Sequence, residues 1–128
     1  MIDKESEVYE AVSSGLRKKY KSIYIIGTEL TTTPPRFPAV SFIQTNNSIV
    51  GTYSTFSGLE NVVKEDYKAE VYSNLEKGKE QQTKEIAMAI SDILTGLGYE
   101  RTFCEPIANA DATVSRRVLR FVKNTVTL

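Results

Sequence analysis

Histidine is missing from this sequence altogether, which removes the commonest general base and the commonest metal-binding side chain. Cys104 is the single cysteine. It excludes an internal disulfide and a thiolate zinc cluster, points to a reducing compartment, and has no base beside it to make it a nucleophile. Tryptophan is absent too, so the seven tyrosines carry most of the amphipathic aromatic surface, suited to half-buried sheet positions and to contacts. Apolar runs such as "IYII" are far too short to span a bilayer, and the opening "MIDKESEVYE" lacks the apolar core of a signal peptide. The expectation is a soluble protein made in a cytoplasm. Charge of either sign is not in excess: 16 basic and 16 acidic residues balance, which suggests neither a nucleic-acid coat nor a membrane-surface protein.

What is present fits one globular domain over 1–128, with 41% hydrophobic and 25% charged residues. The charge is unevenly spread. Residues 65–100 hold eight acids against four bases, and residues 101–128 hold two acids against five bases. Such a domain has acidic and basic parts that suit head-to-tail packing of copies, although exposed charge is more often only solvated surface.

Residues 3–19 predict a helix, with Val8, Val12 and Leu16 on one stripe, Asp3 or Ser6 as cap, and acids then bases placed along the helix dipole. "SIYIIGT" reads as a short buried strand. The segment 29–38 carries three prolines and reads as an irregular arm, since proline can neither continue a helix nor donate to a sheet ladder. "AVSFIQT" resumes as a strand, "NNS" reads as a turn, and "IVGTYSTF" as its return arm, with loop over 57–64. "DYKAEVYSN" alternates apolar and polar residues as a half-buried antiparallel strand does. Residues 79–97 give the strongest helical pattern, with Thr83, Ile86, Ala87, Ile90, Ile93, Leu94 and Leu97 on one face and Gly98 placed for a left-handed cap. "RTFCEPI" is a strand and "ANADA" a turn in which Asn109 and Asp111 bond their own backbone. The last segment, 113–126, fits a helix by spacing, but its β-branched valines and threonines favour a strand. The fold class is therefore α+β: a mainly antiparallel sheet with two helices packed on one face.

Candidate chemistry is thin. Gly96-Leu97-Gly98 follows a helix instead of a strand and has Arg101 where a third glycine belongs, so it is no dinucleotide fingerprint. Thr55 takes the place of the first glycine that a nucleophile elbow at Ser57 would need. Glu65, Asp66 and Glu70 allow paired-carboxylate chemistry, but a polar strand face accounts for them more simply. No catalytic, metal-binding or cofactor-binding residues are expected. Three arginines remain. On a strand, Arg116 and Arg120 point to one side among Val114, Val118 and Val122, and Arg117 points to the other. Arginines interleaved with valines suit a surface that becomes covered by carboxylate partners; a solvated face with arginine stems over valines fits equally.

"PPRFPAVSFIQTNNS", "YKAEVYSNLEKGK" and "LGYERTFCEPIANADATVSRRVLRF" together resemble the tail terminator, or tail-completion, proteins of long-tailed bacteriophages, a minor tail protein family related in fold to the lambda-type terminator. The matching features are Pro35, Phe37-Pro38, Val71-Tyr72-Ser73-Asn74, Gly98-Tyr99, Pro106, Asn109, Arg116 and Arg120, in order over residues 30–124. Ser115 departs from the family's pattern, which has an aromatic there. The resemblance implies a non-enzymatic virion protein, without cofactor, that forms a ring, usually six-fold. The ring caps the tail tube and faces the head-side connector. A domain of this length has a radius of gyration of ~14 Å, and six equal spheres in a ring leave a hole one sphere wide, so DNA passes without sequence-specific contact. The expected partners are copies of the chain, the tube protein and connector proteins, and neither a membrane nor a specific DNA sequence. Arg116, Arg120, Pro35, Arg36 and Phe37 are the expected interface residues, with the arm ordering on a neighbour. The rival readings are another neck or head-closure component, and a nucleic-acid accessory protein using the arginines on phosphates.

Overall fold

The structure is a computed structural model, and it describes residues 3–49 and 62–126, with the side chain of Val126 excepted. The elements run α1 (Glu5–Lys19), β1 (Tyr24–Ile26), β2 (Ala39–Ile49), β3 (Val62–Ser73), α2 (Lys79–Gly96), β4 (Glu100–Ile107) and β5 (Ser115–Val126). The sheet order is β1-β2-β3-β5-β4, with β1 and β2 parallel and every other pairing antiparallel. This is the expected α+β class.

Helix α1 starts where Asp3 Oδ1 accepts the Glu5 backbone N–H at 3.0 Å, one of the orphan donors of a helix start. Its stripe of Val8, Val12 and Leu16 and the α2 stripe of Ile86, Ile90 and Leu94 are all buried. Both pack on the sheet face formed by Val40 and Phe42 of β2, Tyr67, Ala69 and Val71 of β3, and Leu119 and Phe121 of β5. The period-two alternation of the strands creates that face. The Phe42 and Tyr67 rings stack at 5.1 Å, and Tyr99 meets Tyr67 edge-on at 5.4 Å. The helices approach closely at Gly15, where an added Cβ would lie 2.5 Å from Ile93 Cδ1. Gly98 adopts φ +91°, the left-handed cap expected of it. Leu97, at the end of the apolar stripe, is exposed.

One local reading is corrected. Asn46, Asn47 and Ser48 form no turn; they continue β2 and pair with Asp66, Glu65 and Lys64 of β3. The register slips between Gln44 and Asn46, so Thr45 is the extra residue of a β-bulge. Turn-forming side chains lose here to the ladder offered by β3, which begins at Val62, inside the stretch read as loop. The rest of that stretch, 57–61, and most of the expected return arm, 50–56, lie outside the described residues.

The proline-rich arm connects β1 to β2 and lies across the sheet face opposite the helices as a strap. Its roots are tied on both sides. Ser41 Oγ donates to the Thr28 carbonyl at 2.7 Å. Arg36 Nε donates to the Ser22 carbonyl at 2.9 Å, and its guanidinium lies 5.5 Å from the Tyr24 ring centre. Ala39, Ser41, Glu70 and Val118 point away from the helices and are nonetheless buried. Glu29 of the strap meets Lys68 on this face, and Pro34 and Phe37 of the strap lie beside Glu70 and Tyr72.

Candidate functional site

The site is built on the sheet face opposite the helices. Cross-strand register sets it: Tyr72 faces Arg116, Glu70 faces Val118 and Lys68 faces Arg120 across the β3–β5 ladder. Diagonal neighbours on one face lie within reach of long side chains. Arg116 Nη2 accordingly reaches Glu70 Oε1 at 3.1 Å, and Lys68 Nζ meets the same oxygen at 3.2 Å. Tyr72 donates its hydroxyl to Glu70 Oε2. Lys68 Nζ also meets Glu29 Oε1 of the strap at 2.6 Å. Four alternating charges thus run from Glu29 through Lys68 and Glu70 to Arg116, with the Arg116 guanidinium 6.0 Å from the Tyr72 ring centre.

Burial opposes the ionisation of Glu70, but donors from Tyr72, Arg116 and Lys68 outweigh it and hold the carboxyl below its ordinary value of 4.5. Burial first and then that carboxylate push the Tyr72 phenol well up, so the phenol remains a donor. A depressed folded-state pKa stabilises fully above the ordinary carboxylate value, and that stabilisation is lost as pH falls through the folded value. Acid titration of stability, followed by circular dichroism, should therefore show a loss below about pH 4.5 that the E70Q variant lacks. An unchanged acid limb in E70Q would show that the cluster does not couple to folding.

A cavity of about 470 Å³ opens between the strap and the turn before β5. Pro34 and Phe37 of the strap, Tyr72, Asn109, Val114 and Arg116 line it. The turn is held as read from sequence: Asp111 Oδ1 accepts the Thr113 N–H at 2.9 Å, and Asn109 Nδ2 donates to the Asp111 carbonyl at 3.3 Å.

The expected interface residues are therefore split. Phe37 and Arg116 meet at the cavity. Pro35 is exposed at the strap. Arg36 is spent on backbone carbonyls at the strap's root. Arg120 lies on the same face as Arg116, is exposed, and has no ion-pair partner among the described residues. Arg117 points to the helix side, opposite Val71, as the alternation requires. The three carboxylates considered for acid–base work do not converge: Glu65 faces the helices, whereas Asp66 and Glu70 lie on the other face. Sequence reasoning missed Glu29 and Lys68. Their contact spans 39 positions, and only the strap's path brings them together.

Among the described residues no helix is long and apolar enough to cross a membrane, and no group of three His, Cys, Asp or Glu stands ready to hold a metal ion. The chain matches no protein-family model, and no curated protein is significantly similar to it.

Proposed function

We propose that the chain is a non-enzymatic structural protein of a bacteriophage tail. It closes into a six-membered ring that terminates the tail tube and joins it to the head-side connector. Its partners are copies of itself, the tube protein and connector proteins; it is made in the host cytoplasm and works in the virion. The observation that carries this reading is the convergence of the residues behind the resemblance. Phe37, Tyr72, Asn109 and Arg116 are spread over most of the sequence, and they line one cavity on one sheet face. Their common role there is to shape a surface: Arg116 and Tyr72 are committed to Glu70, which leaves them to organise contacts instead of performing chemistry.

Negative-stain microscopy of the purified chain, alone and with its tube protein, tests the proposal. Six-fold rings and tubes capped at one end are expected. A chain that binds only the head-side connector and leaves tubes uncapped is another neck component. Retention on DNA that falls steeply with salt, without capping, makes it a nucleic-acid accessory protein. The charge reversal used to probe the face should be R120E. R116E would set a second carboxylate against buried Glu70 of the same chain and damage the monomer itself.

A further inference from the structure

The strap holds one carboxylate in a place where the sheet face has room for a partner's. Lys68, Arg116 and Arg120 share that face, and among the described residues only Glu70 and Glu29 lie within ion-pair distance of these three cations. Glu70 belongs to the sheet and is buried, fixed by three donors. Glu29 differs in kind: it sits on a segment without helix or strand and is 55% exposed, although its partner Lys68 is only 15% exposed. Remove Glu29 and three cations face one carboxylate. The surplus positive charge then suits an acidic surface.

We infer that Glu29 is an internal stand-in for a carboxylate of a second copy of this chain, and that the strap masks its docking face until assembly displaces it. This rests on the ring reading above. The second copy is the occupant because the chain carries complementary charge elsewhere: Glu80, Glu85 and Asp92 are exposed on α2, on the far side of the sheet from the strap. A contact between two different faces of one molecule is head-to-tail, the kind that closes into rings. Masking lowers the fraction of competent subunits and weakens apparent affinity by that fraction, so removing the mask tightens association.

Self-association of the full chain, measured by sedimentation velocity across a concentration series, decides the matter for E29Q and K68Q. E29Q should associate roughly two- to five-fold more tightly than the wild type, the size of shift expected from releasing one exposed ion pair. K68Q should associate at least about ten-fold more weakly, with the circular dichroism spectrum unchanged in both. An E29Q protein that associates no more tightly, while the wild type still forms rings, overturns the masking and leaves the ring reading intact. A tighter grip of E29Q on the tube protein alone overturns the assignment of the occupant to a second copy. A wild type that stays monomeric at every concentration, with or without tube protein, removes the ring reading and this contact together.

Discussion

Ile90→Asp should leave the chain without a cooperative unfolding transition. Ile90 is fully buried at the centre of α2, among Val12 and Leu16 of α1 and the sheet residues Ala69 and Leu119 of the same core. A carboxylate there has neither water nor a cation, and it must either stay charged at a cost of several kcal/mol or take up a proton and remain unpaired. Domains of this size are stable by about 5–15 kcal/mol, so one such group consumes most of the margin. Ile90→Val, which removes one methylene, should cost only about 1 kcal/mol. Urea unfolding monitored by far-UV circular dichroism separates the two. An Ile90→Asp protein that melts within a few degrees of the parent would show that this face of α2 is not core.

The second large effect is expected at Glu65, a carboxylate for which a polar strand face is the simpler account from sequence. It is fully buried on the helix side of β3. Tyr67 donates to Oε1 at 3.2 Å, Tyr99 donates to Oε2 at 3.2 Å, and Thr125 donates to the same Oε2. Gln44 extends the network by donating Nε2 to the Tyr67 hydroxyl at 3.2 Å. Burial first, then Tyr99 and the Glu65 carboxylate, push the Tyr67 phenol far up; burial and Glu65 do the same to Tyr99. Both phenols are thereby kept as donors. Glu65→Ala leaves three hydroxyls without their acceptor and opens a void, which should cost about 3–5 kcal/mol. Glu65→Gln keeps one acceptor oxygen and presents an amide to the remaining hydroxyls, so its loss should fall between wild type and Ala. The ranking is read from urea midpoints at constant slope. An alanine variant as stable as the parent would mean that the hydroxyls find other acceptors and the carboxylate organises nothing.

Particular residues show how far the sequence could be read. The α1 and α2 stripes were legible because helical periodicity directly encodes which side chains meet the sheet. The last segment was ambiguous by spacing, and its β-branched content decided correctly for β5. Asn46–Ser48 misled because a local preference for turns says nothing about the ladder that β3 offers. At the site, alternation placed Arg116 and Arg120 on one face and Arg117 on the other, which follows from the strand alone. The identity of Arg116's carboxylate did not follow. Glu70 becomes its neighbour only through the β3–β5 register, and register is a property of two strands together. Glu29 was still further from view, because a loop's path over a sheet leaves no periodic trace.

The two borders of the sheet carry a consequence for how it can grow. β1 is three residues long, too short a template for an incoming strand. β4 offers eight residues, but Pro106 has no N–H to donate, and Glu100, Arg101 and Glu105 are exposed along it. Short borders, proline and charge are the devices by which natural sheets avoid runaway strand addition. Neither β1 nor β4 thereby offers a ready template for amyloid-like stacking.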